Sequence, residues 1–181
     1  MNTMKVSIIA TLVALCVATN YALVGVPNLK AMDFIVFVGG FCFGPFVGAF
    51  IGILSWAVYG VVNPHGFVPQ VWLATMFSET IYGLLGGLLG KNLALTNFNN
   101  ERFELSVFFG TMGFILTLIY DLITNVVYAS TFGIPIIAAI VFGAPFTIFH
   151  QVSNAAIFGV VSIPVIAGLK KFVRRSMVWH F

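Results

Sequence analysis

Residues 105–129 read LSVFFGTMGFILTLIYDLITNVVYA, and this stretch decides the fold class. It carries one charged side chain, that of Asp121. A run of about 20 mainly apolar residues is long enough to cross the hydrocarbon core of a bilayer as a helix. The run lacks the alternation of polar and apolar residues that marks a membrane-spanning β-strand. The stretch therefore predicts a transmembrane helix.

The composition extends this prediction to the whole chain. Of its 181 residues, 60% are hydrophobic and 7% are charged, whereas an ordinary soluble domain has about 25% charged residues. Mean hydropathy is +1.08. So few charges cannot cover a surface that faces water, but a surface that faces lipid needs none. We therefore expect an all-α integral membrane protein in contact with the lipid bilayer.

Neither the net charge nor the cysteines indicate another class. The net charge is +3, but the basic residues lie at the ends of apolar runs and form no basic face interleaved with aromatics. We therefore expect no nucleic acid partner. Cys16 and Cys42 lie inside apolar stretches, which argues against a disulfide framework and against a cysteine-based metal site.

The apolar stretches divide the chain into spans within one transmembrane domain, residues 1–181. Six transmembrane helices are predicted, at about 6–23, 32–43, 46–62, 71–90, 105–129 and 148–169. Gly44 and Pro45 predict a tight turn between the second and third helices, because this pair cannot continue a regular helix.

The connections between the spans differ in polarity. A cytoplasmic loop is predicted at 91–104, and outer loops are predicted at 24–31, 63–70 and 130–147. The last of these is apolar but is interrupted by Gly133, Pro135, Gly143 and Pro145. We expect it to be a re-entrant or capping segment, with a short seventh helix as the alternative.

Basic residues predict the orientation. With six spans, both termini lie on the side that also holds the loop 91–104. That side carries seven of the eight basic residues: Lys5, Lys91, Arg102, Lys170, Lys171, Arg174 and Arg175. Lys30 lies on the other side. Since cytoplasmic segments are enriched in Lys and Arg, we expect the N-terminus and the C-terminus to lie in the cytoplasm.

Polar side chains within the predicted spans fall mainly in their outer halves. Glu79 lies about two turns into the fourth span, Asp121 and Asn125 lie near the outer end of the fifth, and His150 and Asn154 open the sixth. Residues four apart share one face of a helix. Because ionisable and amide groups are costly in a membrane, the pattern predicts a pocket that is open to the outside and closed toward the cytoplasm.

Each of these residues also has a purely structural interpretation. The Glu79 carboxyl could be protonated and bound to a neighbouring backbone group, and the paired polar residues could join helices to one another. Asn28 and Asn63 in the outer loops are typical of turns. Tyr82 is an aromatic side chain that could either reach the pocket or belong to the core.

Small residues recur at spacings that favour close helix contacts. Glycines of the second to fourth spans predict packing within the chain. The first span carries an alanine strip, which is the better candidate for a partner surface: Ala10, Ala14, Ala18 and Ala22.

Four features, in their order along the chain, resemble the substrate-binding membrane subunit, or S component, of energy-coupling factor (ECF) transporters. They are the alanine strip, the run GPFVGAFIG at 44–52, the long outer loop that follows it and the run PFTIFHQVSN at 145–154. The resemblance covers essentially the whole chain in size, six-helix layout and basic C-terminal tail.

The resemblance implies a role in transport rather than catalysis. An S component in the plasma membrane of a prokaryote captures a vitamin or related micronutrient from outside. The resemblance implies that Ala10, Ala14 and Ala18 dock on a transmembrane coupling subunit, which works with two cytoplasmic ATPase subunits. The chain itself has no P-loop motif. The implied substrate-binding residues are Asn28, Asn63, His65, Glu79, Tyr82, Asp121, Asn125, His150 and Asn154.

The resemblance also bears on metals. Family members that transport nickel or cobalt have a histidine as their second residue, and this chain has Asn2. We therefore expect an organic solute rather than a metal ion, and no cofactor. A pocket with acidic, amide and aromatic groups suits a polar solute that contains a ring.

Two other functions fit the same residues. A self-sufficient proton-coupled carrier would use Glu79 as its proton site, but it should also have a polar route to the inside, which the sequence does not show. An intramembrane enzyme would use Glu79, Asp121 and His150 as acid, base or metal ligands. Their unrelated spacings and the lack of an HExxH-type pair argue against it.

Overall fold

The computed structural model describes residues 3–64, 66–92 and 102–178, which form helices and short connections without a β-strand. His65 and most of the predicted cytoplasmic loop 91–104 lie outside the described residues. Six helices follow in chain order: α1 (Thr3–Ala22), α2 (Met32–Phe43), α3 (Pro45–Tyr59), α4 (Pro69–Asn92), α5 (Arg102–Phe132) and α6 (Ile136–Val178).

Three of these helices are long and apolar enough to cross a bilayer: α1, α5 and the part of α6 from Ile136 to Leu169. Helix α4 has 24 residues but is less apolar. Helices α2 and α3 are apolar but have 12 and 15 residues, fewer than the ~20 that one crossing takes. The described chain is thus compatible with a membrane-embedded protein. The six crossings and their orientation stay predictions.

The last helix begins earlier than its sequence indicates. Residues 130–147 do not form a loop, so this prediction is wrong: α5 continues to Phe132 and α6 starts at Ile136. The turn consists of residues 133–135, and the φ of +66° at Gly133 is one that glycine adopts readily. Pro135 immediately precedes α6, and Pro145 lies inside it. A proline can be accommodated in an apolar helix, so Gly143 and Pro145 do not end α6.

Helix α2 is the centre of the bundle. Nine of its twelve residues are buried, and it packs against α1, α3, α4 and α6. The apolar core around it is largely aromatic. Phe37 is fully buried, and its ring packs against those of Phe41, Phe109 and Phe158. Helices α5 and α6 pack along each other as an antiparallel hairpin beside this core.

Glycines bring α2, α3 and α4 into backbone contact, in what we call the glycine layer: Gly40, Gly48, Gly83, Gly86 and Gly90. A Cβ atom added at Gly40 would collide with the carbonyl oxygen of Gly83, and one added at Gly48 would lie 2.6 Å from the Cα of Gly40. Added Cβ atoms at Gly86 and Gly90 would collide with carbonyl oxygens of α2. The prediction that these glycines pack within the chain is confirmed.

Helix α1 lies at the edge of the bundle. Its buried residues are Ile9, Cys16 and Asn20. Ala10, Ala14 and Ala18 are exposed, and Ala10 also lines a groove between α1 and α3 together with Phe50 and Leu54. The strip is therefore accessible, and docking of a partner on it stays a prediction.

Candidate functional site

Buried ionisable residues gather at one end of the bundle, which we call the polar end. It is the end where the connections 23–31, 60–68 and 133–135 lie. Asp33, Glu79, Asp121 and His150 are all buried there. They come from α2, α4, α5 and α6 respectively, so the site exists only when these four helices are packed together.

The centre of the polar end is a histidine between two carboxylates. The Nε2 atom of His150 lies 2.7 Å from Oδ2 of Asp33, and its Nδ1 atom lies 3.1 Å from Oδ1 of Asp121. A neutral imidazole has only one N–H group, so it cannot donate to both carboxylates. The triad must therefore hold an additional proton, either on the imidazole ring or on a carboxyl group.

An amide and two hydroxyl groups extend this triad. The Nδ2 group of Asn154 donates to Oδ2 of Asp33 at 2.7 Å and to Oγ1 of Thr117 at 2.8 Å. The hydroxyl of Tyr82 donates to the same Thr117 oxygen at 2.9 Å. Thr117 in turn donates to the carbonyl oxygen of Gly113. The network thus links α2, α4, α5 and α6 through side chains that are buried on all sides.

Glu79 lies on the other side of the polar end, against α3. Its Oε2 atom accepts a hydrogen bond of 3.1 Å from the indole N–H of Trp56. The carbonyl oxygen of Trp56 accepts from the indole N–H of Trp72 at 2.8 Å. No hydrogen bond of the described residues joins Glu79 to the His150 triad, although the Glu79 and Asp33 carboxyl groups interact electrostatically.

A lysine lies between these two groups. The Nζ atom of Lys30 is 5.4 Å from the ring centre of Trp56 and 5.1 Å from that of Tyr120. Both distances are within the range of a cation–π interaction. Trp56 is the partner of Glu79, and the ring of Tyr120 packs edge-on against His150. Lys30 therefore connects the Glu79 side of the site with the His150 side.

Several buried polar atoms of the polar end have no hydrogen-bond partner. Four of them are acceptor oxygens: Oδ1 of Asn20, Oδ1 of Asp33, Oε1 of Glu79 and Oδ1 of Asn154. The fifth is the hydroxyl oxygen of Tyr120. Buried polar groups without partners are rare and cost about 1–3 kcal/mol each. Two further unpartnered side-chain atoms of the described residues, the hydroxyl oxygens of Ser55 and Ser162, lie outside this group. The five atoms at the polar end are candidates for pairing with a ligand.

Two cavities open near the polar end. One, of about 290 Å³, lies between the end of α1, the connection 23–31 and the end of α3, and its lining includes Asn20, Lys30 and Tyr59. The other, of about 220 Å³, lies between α3 and α4 and is lined by Trp72 among others. Trp56 and Asn63 line both cavities. Their size is at the lower limit for small-molecule pockets.

The structure brings together five of the residues that the sequence singled out, although nothing in it tests whether they bind a ligand. Within the polar end lie Glu79, Tyr82, Asp121, His150 and Asn154.

The other predicted residues lie around this centre or apart from it. The amide of Asn28 donates to the carbonyl oxygen of Phe146 at 3.2 Å, and its φ of +55° makes it a turn residue as well. Asn63 lines both cavities, as noted. Asn125 lies against Gly143, where an added Cβ atom would be 3.1 Å from its Oδ1. Asn125 thus faces the part of α6 around Gly143 rather than the triad.

Sequence reasoning missed three central residues: Lys30, Asp33 and Trp56. In the sequence, Lys30 and Asp33 belong to a polar stretch at the predicted outer loop. Their positions just before and at the start of α2 could have indicated that both lie near the pocket. For Trp56, its aromatic character within a span indicated only that it could reach the pocket, and the packed structure alone places its N–H against Glu79.

Chemically, the polar end offers carboxylate and amide acceptors, one lysine cation and aromatic walls. Within the described residues, no group of three His, Cys, Asp or Glu side chains is arranged to hold a metal ion. No protein-family model matches this chain, and no curated protein and no solved structure matches it significantly. The functional assignment must therefore rest on the geometry of the polar end.

Proposed function

We propose that this protein is a membrane-embedded binding subunit that captures a small polar solute at its polar end. The observation that carries the proposal is the set of unpaired, buried oxygens at the polar end, where two cavities also open and Asn20 lines one of them. A purely structural network should satisfy its own polar atoms, because each unpaired one destabilises the fold. A bound solute that supplies donors would satisfy them.

The location of charge supports binding rather than conduction. Among the described residues, the four buried acidic and histidine side chains all lie at the polar end. In the described part of the other end, the glycine layer joins α2, α3 and α4 without a polar side chain between them. A conducting pore needs polar lining along its whole length. We therefore propose capture from the outer side, with release that needs another protein.

The nature of that other protein follows from the resemblance to ECF-type S components. We propose that the chain acts with a transmembrane coupling subunit and two cytoplasmic ATPase subunits in a prokaryotic plasma membrane. The exposed alanine strip, with Ala10, Ala14 and Ala18, is the proposed docking surface. Small side chains allow a second helix to approach closely, which favours helix association in lipid.

Mass spectrometry of small molecules retained by the gently purified protein tests the binding role. We expect one solute in a near-stoichiometric amount in the wild-type protein. Loss of that solute from a Glu79→Gln or Asn154→Ala variant that still elutes as a folded protein would support the polar end as its site. Normal retention by both variants would place the site elsewhere.

Uptake into proteoliposomes tests the coupling role. With a coupling subunit and two ATPase subunits, wild-type protein should support ATP-dependent uptake of the retained solute. Ala14→Leu should abolish uptake and co-purification of the coupling subunit while retention of the solute is unchanged. Ala167→Leu is the matched control, since Ala167 is equally exposed but belongs to α6. Equal effects of the two substitutions would contradict the docking assignment.

A proton-coupled carrier is the second candidate, and the His150 triad is the observation that favours it. Histidine and carboxylate chains within a membrane are typical of proton relays. A carrier would transport the solute into proteoliposomes that contain this chain alone, driven by a pH gradient. The binding-subunit proposal predicts no such uptake without the other subunits.

A further inference from the structure

Lys30 occupies an unusual position for a loop lysine. Its charged end is directed toward the bundle, between the rings of Trp56 and Tyr120, rather than toward solvent. It also interacts electrostatically with the carboxyl groups of Asp33 and Glu79. Among the described residues, neither carboxylate lies within ion-pair distance of Nζ. The ammonium group therefore sits in an acidic and aromatic space without a direct carboxylate partner.

The unpaired atoms around this space have one chemical character. Asn20, Asp33, Glu79 and Asn154 each present an acceptor oxygen without a donor. Asp33, Glu79 and Asn154 are fully buried, so water from the surface does not reach their side chains in this conformation. A ligand that satisfies such atoms must bring N–H or O–H donors. A carboxylate or phosphate ligand brings acceptors and cannot satisfy these atoms.

Aromatic rings add a preference for positive charge. The faces of Trp and Tyr rings attract cations, and the attraction is strongest when the cation is removed from water. The space already holds one cation, that of Lys30, and the flexible lysine side chain can leave it. The 290 Å³ cavity, which Lys30 and Trp56 both line, opens next to this space.

We propose that the polar end binds a small organic cation, a protonated amine attached to an apolar or aromatic body. Its ammonium group takes the position between Trp56 and Tyr120 that Nζ of Lys30 holds in this structure. Lys30 is thus a tethered occupant that the ligand displaces. This inference rests on the proposed binding function and specifies the chemistry of the ligand.

A set of three probes of matched shape tests the charge preference. Tryptophan fluorescence of the purified full-length protein is titrated with 2-phenylethylammonium, with neutral 2-phenylethanol and with anionic 3-phenylpropanoate. We expect the ammonium probe to bind at least about tenfold more tightly than the other two, which is the size of one desolvated cation–π interaction. Equal affinity for the three probes, or tighter binding of the anion, would overturn the inference.

Substitution of Lys30 tests the displacement. Lys30→Met removes the competing cation, so the ammonium probe should bind about tenfold more tightly than it does to the wild-type protein. Glu79→Gln should weaken binding of the same probe. Weaker binding of the ammonium probe to Lys30→Met would overturn the proposed role of Lys30. The wild-type probe series remains decisive if either variant does not fold.

The outcome separates this inference from the proposed function. If the wild-type protein prefers the neutral or anionic probe, or retains a neutral or anionic solute on purification, the cation inference fails and the binding function stands. If it binds none of the three probes and retains no solute, both fail.

Discussion

In the glycine layer, helices α2, α3 and α4 touch through their backbones, whereas at the polar end the same helices contribute buried ionisable and aromatic side chains. Gly40, Gly48 and Gly83 leave no room for even a methyl group. At the polar end, Asp33 and Glu79 are buried with one unpaired oxygen each. One end of the bundle is therefore closely packed through its backbones, whereas the other end contains buried polar atoms without partners.

This difference has a physical consequence for stability and movement. Close-packed glycines gain many weak contacts and leave no polar atom without a partner, so the layer should be rigid. Buried polar groups are strongly stabilising only when every atom is paired. The polar end can therefore gain stability from a ligand, and the glycine layer provides a fixed base for it.

Removal of His150 should have the largest effect on stability. In His150→Leu, the carboxyl groups of Asp33 and Asp121 lose their shared partner, and breaking a buried ion pair from one side costs about 3–5 kcal/mol. Thermal unfolding in detergent measures the loss. A double variant, His150→Leu with Asp33→Asn, should recover part of it because one buried charge is also removed. No recovery would mean that the Asp33 contact contributes little.

A methyl group in the glycine layer should have the next largest effect. Gly40→Ala forces the backbones of α2 and α4 apart, for which we expect a loss of about 1–3 kcal/mol. Gly168→Ala in α6 is the matched control, because an added Cβ atom there meets nothing within 4 Å. This control should be neutral or slightly stabilising, since alanine favours helices. Equal thermal shifts for both variants would contradict the close contact of the layer.

A single lost donor at the polar end should have the smallest effect. Trp56→Phe removes the N–H group that Glu79 accepts from and leaves the ring position filled, so we expect a loss of about 1–2 kcal/mol. Trp72→Phe should cost less. Its acceptor, the Trp56 carbonyl, also accepts from the backbone N–H of Gly60 and stays paired. The same unfolding assay compares the two variants, and a larger loss for Trp72→Phe would reverse our ranking.

The bounds of several helices could be predicted from the sequence because they depend on local properties. Helix α2 lies at the predicted residues 32–43, and the turn at Gly44 follows from Gly and Pro chemistry. The start of α6 was missed for a reason that is also local. Glycine and proline disfavour a helix in water, but an apolar environment stabilises α6 so that it continues across Gly143 and Pro145.

The polar end could be predicted only in outline. Helical spacing placed Asp121 and Asn125 on one face, yet Asp121 contacts His150 while Asn125 lies by Gly143. A spacing of four residues specifies a shared face and leaves open which neighbour that face meets. Asp33 was missed as a site residue because its partners lie more than a hundred residues away in the chain.

The sequence by itself determined that this protein is helical and built for an apolar environment, that its glycines pack helices together and that its polar residues gather toward one end. These properties follow from composition and periodicity, which each segment carries alone. Only the tertiary structure decided that His150 joins Asp33 to Asp121, that Trp56 holds Glu79 and that Lys30 lies between Trp56 and Tyr120. Such contacts depend on which helices become neighbours, and that choice is made by the packing of the whole bundle.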